Sequence, residues 1–185
     1  MRINPSRRSS LADSMGDDAP DIDYIGTLIK LTADMFHNKN GVPPVFVMEK
    51  GGDVQPIKVP SSLIDSEEGK DELSNLISTA VATFQPDSHC FVSEAWMYKM
   101  EEFNSQEEAM QALSDFKNGI PCDKITRIEA VTFAVTKINA DKSQSRWMGS
   151  MSFSRGSDDR ISSFDPVKWM KADDSKKLEG RLFAN

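Results

Sequence analysis

The sequence predicts an α+β fold, in which about three helices pack against one face of a mixed, mainly antiparallel sheet. Segments with apolar residues at every third or fourth position indicate helices over residues 21–38, 66–84 and 105–117. Segments of alternating apolar and polar residues indicate hairpins, and the aromatic and apolar run over residues 89–100 is typical of a central strand.

The three helices each have a sequence signal of their own. The first has an apolar stripe that includes Ile25 and Ile29. The second follows Ser66 and begins with acidic residues, which the positive end of the helix dipole favours. The third begins with Ser105 and Glu108 in the spacing of a capping box.

The strands are predicted from two hairpins and the run between them. Residues 42–60 form the first hairpin, and its four prolines place it at an edge of the sheet because proline lacks a backbone donor. Residues 127–138 and 146–155 alternate strongly and form the second hairpin across a turn at 139–142. A short last strand is expected over 160–164.

The length of 185 residues is that of one domain. Residues 1–20 have no apolar periodicity, so we expect a flexible N-terminal tail followed by a single domain over 21–185. No apolar run approaches the roughly 18 residues of a membrane span, and the first residues lack the core of a signal peptide. The two cysteines, Cys90 and Cys122, suit a reducing compartment. We therefore expect a cytoplasmic protein with no membrane attachment.

The charges are divided unequally along the chain. The net charge of -7 disfavours nucleic acid as the partner, since phosphate contacts supply most of that affinity. The simpler interpretation of the basic second hairpin is that its cations oppose edge-to-edge aggregation. The alternative is a basic face that receives an acidic partner or a phosphorylated ligand. The binding residues of that face are Arg127, Arg146, Arg155 and Arg160.

Two carboxylates, Glu94 and Glu129, lie inside apolar strand patterns, where charged side chains are rare unless they are paired. If their strands are neighbours, the two are candidates for a catalytic acid–base pair in which one carboxyl has a raised pKa. The alternative is that each forms a structural ion pair, with Arg127 or Arg146 as the partner.

No metal or cofactor site is predicted. The histidines and cysteines lack the short spacings of a zinc site, and no glycine-rich phosphate loop is present. The tryptophans, Trp96 among them, are expected as buried anchors rather than as a platform for stacking bases.

The segment VSEAWM at 92–97, followed by RIEAV at 127–131 and then by a hairpin, resembles uncharacterised small bacterial and phage proteins. The resemblance extends over about residues 21–153 and implies a compact α+β fold. It implies no reaction, cofactor or partner. It does make its central members the first place to look for a site, namely Glu94, Trp96, Arg127 and Glu129.

The leading functional hypothesis is a non-enzymatic intracellular binding protein, phage-encoded if the resemblance holds, that acts through the basic face or the N-terminal tail. Its partner is then another protein with an acidic surface, or a second copy of this chain. One alternative is a small enzyme that uses Glu94 and Glu129 on an anionic substrate. The other is a component of a virion or of its assembly.

Overall fold

The structure of the protein is a computed structural model that describes residues 19–172. Its strands form one sheet in the order β2-β1-β3-β4-β5-β6, and β7 also pairs with β5. All of these ladders are antiparallel. The helices are α1 (Asp23–Phe36), α2 (Glu67–Phe84) and α3 (Gln106–Lys117). The strands are β1 (Val45–Lys50), β2 (Asp53–Lys58), β3 (Ser88–Met100), β4 (Ile125–Ile138), β5 (Gln144–Arg155), β6 (Ile161–Phe164) and β7 (Lys168–Lys171).

The α+β class, the antiparallel sheet and the three helices are confirmed. The β1–β2 hairpin lies at the edge of the sheet, with β2 outermost. Pro56 of β2 lies opposite Val47. Proline is tolerated there because no described strand pairs with the outer side of β2, so no hydrogen bond is lost on that side. The capping signals are also present, because Ser66 accepts from the N–H of Gly69 and Ser105 from that of Glu108. The expected tail lies outside the described residues, except for its last two positions.

Two cores lie on opposite faces of the sheet. α1 packs Ile25 and Ile29 into the first core, and α2 packs Leu73 and Ile77 into the second. One cross-strand row contributes to the first core, namely Val47, Cys90, Val135 and Trp147. The row beside it contributes to the second core, namely Phe46, Phe91, Ala134 and Met148.

The helices are therefore divided between the two faces of the sheet instead of sharing one. The reason is visible in the strands, since neighbouring residues such as Phe91 and Val92 are both apolar and both buried. Neighbouring residues point to opposite faces, so each face of the central strands needs its own cover. Within residues 19–172, no helix is long and apolar enough to cross a membrane.

The missing side chain of Gly149 in β5 makes room for a ring of β7, the last described strand. Gly149 lies opposite Phe133 on one side and Trp169 on the other. The Trp169 ring covers the glycine, and a Cβ atom at position 149 would lie 2.7 Å from its Cζ3 atom. The centroids of the Phe133 and Trp169 rings are 6.2 Å apart. Only glycine leaves room for this ring, so position 149 fixes how β7 docks.

His89 is a buried histidine in the core beside α2. The residue is 8% exposed, and its ring lies against Phe46, with the ring centroids 5.5 Å apart. Burial, with a smaller contribution from the Arg146 cation, lowers the pKa of His89 from 6.5 to about 4. The imidazole therefore stays neutral in the folded protein at pH values where an unfolded chain takes up a proton.

We expect Gly149→Ala to lower the free energy of unfolding by about 1–3 kcal/mol, because the new methyl group displaces the Trp169 ring. Urea titration measures this change. The control, Ser150→Ala in the same strand, changes the free energy by less than about 0.5 kcal/mol. In a Trp169→Ala background the added methyl group has space, and the cost of Gly149→Ala becomes smaller. An equal cost in both backgrounds would contradict the steric explanation.

The buried histidine also predicts how stability depends on pH. Between pH 7 and pH 5 the unfolded state binds a proton at residue 89 and the folded state does not, so stability falls with falling pH. The loss from this residue is about 2 kcal/mol. In His89→Gln this part of the pH dependence disappears, whereas in the control His37→Gln it remains. Parallel pH profiles for wild type and His89→Gln in urea titrations would show that the expectation is wrong.

Candidate functional site

β3 and β4 extend beyond the rest of the sheet. β1 pairs with β3 only over residues 88–92, and β5 pairs with β4 only over 130–138, whereas β3 and β4 stay paired to Met100 and Ile125. Residues 95–100 and 125–129 thus form a two-stranded extension with no further strand on either side among the described residues, and we call it the distal ribbon. Glu94, Trp96 and Tyr98 lie on the face that also carries α1, because they share the parity of Cys90 and Val92.

An ion-pair cluster lies at the base of the distal ribbon. The Nε atom of Arg155 donates to both carboxylate oxygens of Glu129, at 2.8 and 3.0 Å. Its Nη2 atom donates to Oε1 of Glu94 at 3.2 Å. The side chains of Arg155, Glu94 and Glu129 are 18%, 29% and 19% exposed, so the cluster is largely withdrawn from water. The two carboxylates therefore share one guanidinium.

The same cluster fastens two loops to the sheet. The Nη1 atom of Arg155 donates to the carbonyl oxygens of Asn40, at 2.8 Å, and Asp159, at 2.9 Å. The second oxygen of Glu94 accepts from the backbone N–H of Val42 at 3.1 Å. Gly41 allows this close approach, since a Cβ atom there would lie 2.9 Å from that oxygen. Arg155 and Glu94 thus tie the loop after α1 and the turn before β6 to β3 and β4.

Glu94 and Glu129 lie on neighbouring strands, β3 and β4, which is the condition for the two carboxylates to share a site. Their arginine partner is different from the two that were expected, because Arg155 reaches them from β5. Hydrogen bonds and the negative charge of Glu129 raise the pKa of Arg155, so the cation is stabilised in place. This arrangement is typical of an ion pair that maintains structure, and the catalytic pair stays a prediction.

Further along the same face, Arg127 stacks on Trp96. The Cζ atom of the guanidinium is 3.4 Å from the centroid of the indole ring. Trp96 is 50% exposed, so it is not the buried anchor that the aromatic run predicted. The reason is that the β1–β3 pairing ends at Val92, so within residues 19–172 no strand lies beside β3 at Trp96 on its open side. Within residues 19–172, Arg127 has no carboxylate within salt-bridge distance.

The four arginines proposed for a basic face are not brought together. Arg127 and Arg155 lie on the α1 face, whereas Arg146 lies on the other face at the opposite end of the sheet and donates to Gln144. Arg160 lies in the exposed turn before β6, with its Nε atom 3.7 Å from a carboxylate oxygen of Asp158. Of the four, Arg127 is the one that stacks on an exposed aromatic ring, that of Trp96, and has no acidic partner in the described chain.

Sequence reasoning missed several residues around Trp96. Met97 and Met100 are 38% and 41% exposed on the distal ribbon. Tyr98 contacts Phe116 of α3 edge-on, and Lys117 lies 5.5 Å from the Tyr98 ring centroid. The alternation of Trp96 and Tyr98 along one strand was the available signal, because it places both rings on one face. That signal does not predict that β1 and β5 end before they reach Trp96 and Tyr98.

Among residues 19–172, no group of three His, Cys, Asp or Glu side chains is placed to hold a metal ion. Cys90 is fully buried, and burial raises the pKa of its thiol. Compared with known proteins, the chain matches no family model, no curated protein and no solved structure.

We expect Arg155→Met to lower the free energy of unfolding by about 2 kcal/mol or more, because two partly buried carboxylates lose their cation. The control Arg160→Met removes an exposed arginine and costs less than about 0.5 kcal/mol. Adding Glu94→Gln and Glu129→Gln to Arg155→Met recovers part of the loss, since no unpaired charge remains. If Arg155→Met and Arg160→Met unfold at the same urea concentration, the cluster does not stabilise the fold.

Proposed function

We propose that this chain is a non-enzymatic binding protein that holds an acidic protein partner at the Trp96–Arg127 pair. The observation that carries the proposal is the guanidinium stacked on a half-exposed indole ring with no carboxylate partner of its own among the described residues. Tryptophan and arginine are the side chains most enriched among residues that dominate binding energies at interfaces.

The stacking prepares Arg127 for binding. A guanidinium that lies flat on a ring keeps its N–H donors in one plane, and that geometry matches the two oxygens of a carboxylate. The ring restricts the long arginine side chain before the partner arrives, so less conformational entropy is lost on binding. Trp96 supplies apolar area beside the charge, which makes the pair suited to a protein surface rather than to a free anion.

The other arginines support the choice of this site by contrast. Arg155 already binds Glu94 and Glu129, so a new carboxylate has to displace two existing ones. The enzyme alternative has less support for the same reason, because both of its carboxylates bind that guanidinium. A cytoplasmic location and a phage origin belong to the proposal, supported by the cysteine usage and by the VSEAWM resemblance.

An assembly component is the second candidate, because the distal ribbon and α3 carry further exposed apolar side chains. Met97 and Met100 on the ribbon and Met110 on α3 are each more than a third exposed. Methionine adapts to varied surfaces and is frequent at binding sites that accept more than one shape. A self-associating copy of the chain fits such a surface, and light scattering on the purified protein distinguishes it from a monomer that binds another protein.

The test is affinity capture from the native host with four baits: wild type, Arg127→Glu, Trp96→Ala and the control Arg160→Glu. We expect the proteins captured by wild type to be depleted at least about tenfold on Arg127→Glu and Trp96→Ala. Arg160→Glu makes the same charge change in the exposed turn before β6 and retains them. Quantitative mass spectrometry gives the measurement. Equal capture by Arg127→Glu and Arg160→Glu would show that the pair does not bind the partner.

A further inference from the structure

The distal ribbon leaves one edge of β3 open, and the register shows which backbone groups face that edge. Glu101 donates its N–H to the carbonyl of Lys124, and Ile138 donates to that of Asp87. Both bonds belong to the register in which Met100 faces Ile125. Because bonded and non-bonded positions alternate along an antiparallel pair, the odd-numbered residues of β3 bond to β4.

The even-numbered residues of β3 therefore point their N–H and C=O groups away from β4. Where β1 is present, those groups bond to it. β1 ends its pairing at Val92, so Trp96, Tyr98 and Met100 direct their backbone groups to an edge that no described strand occupies. Within residues 19–172, no hydrogen bond from a turn, loop or side chain reaches them.

This edge lacks two features that protect the other edges of the sheet, a proline and a bulge. The outer strand β2 carries Pro56, and the pairing of β5 with β6 is shifted between Ser154 and Arg155. β3 has neither a proline nor a bulge from Ser88 to Met100. A regular, open strand edge with apolar side chains is the structure to which an extended peptide adds as a further strand.

The charges on the two faces of this edge indicate what kind of strand it accepts. Arg127 lies over Trp96 on one face, and Lys99 is exposed on the other. Neither forms a salt bridge within the described part of the chain. Glu94, the acidic residue at the base of the edge, is already paired with Arg155. An incoming strand thus meets a cation on each face.

We propose that the partner adds an extended acidic segment to the open edge of β3, as a strand beside Trp96, Tyr98 and Met100. This inference rests on the proposed function and names the form of the partner. The outward positions are two residues apart, so a segment of about five residues pairs with all three. Neighbouring strands lie about 4.8 Å apart, so a carboxylate on the α1 face of the new strand is within reach of the guanidinium over Trp96.

The first experiment is hydrogen exchange of the free protein by NMR. The amides of Trp96, Tyr98 and Met100 are expected to exchange at least about tenfold faster than those of Ala95, Met97 and Lys99, since only the latter bond to β4. Equal protection of the two sets would overturn the proposal, because the edge would then be occupied.

The second experiment measures the binding of a fluorescent peptide of about ten residues in which Glu alternates with Val and Thr. A peptide with Lys in place of Glu is the control. The protein variants are Tyr98→Pro and Tyr98→Thr, which remove the same side chain but differ in the outward N–H. We expect the acidic peptide to bind Tyr98→Pro about tenfold more weakly than Tyr98→Thr, and the basic peptide to bind neither.

Circular dichroism tests whether the variants fold. If Tyr98→Pro unfolds, the comparison is repeated at the next outward position with Met100→Pro and Met100→Thr. Equal affinities of the proline and threonine variants, or no binding of the acidic peptide to wild type, would overturn strand addition. A dimer of the free protein that the proline variant abolishes would do so too, since the edge would then belong to a second copy.

Arg127→Glu, measured in the same titration, separates this inference from the proposed function. If Arg127→Glu weakens binding and Tyr98→Pro does not, strand addition is wrong and the Trp96–Arg127 site stands. If both variants weaken binding relative to their controls, Arg160→Glu and Tyr98→Thr, both proposals are supported.

Discussion

The structure depends on the antiparallel pairing of β3 with β4, which runs without a bulge from Ser88 and Lys137 to Met100 and Ile125. One half of this pair carries the sheet, because β1 and β5 attach to it and the two cores form on its faces. The other half continues alone. The same ladder therefore supports the fold at one end and presents side chains and backbone to solvent at the other.

Two arginines on one face of this sheet have different partners because their surroundings differ. Arg155 is largely buried and surrounded by acceptors. It stabilises the fold because it pairs with two carboxylates whose burial without a cation is unfavourable. Arg127 lies where the sheet has thinned to two strands, and it has an aromatic ring beneath it instead of a carboxylate. Desolvation and partner geometry, rather than residue type, distinguish the two cations.

The net charge of -7 describes the surface poorly. The acidic residues are most frequent in the segment with α2 and α3, and the two glutamates inside the strand pattern share the single positive charge of Arg155. At the ribbon the local balance is set by Lys99 and Arg127. Because exposed charges are screened beyond about 8 Å in physiological salt, this local balance matters more to a bound partner than the total.

The sequence by itself determined the elements: apolar stripes fixed the three helices, alternation fixed the β4–β5 hairpin, and prolines placed the first hairpin at an edge. These signals are local, so they survive without knowledge of what packs where. Only the tertiary structure decided that α1 and α2 cover opposite faces, that Arg155 is the partner of Glu94 and Glu129, and that Trp96 is exposed. Each of these depends on strand order, on register and on the residue at which a neighbouring strand ends. Such long-range pairings produce no periodic pattern in the sequence from which they could be predicted.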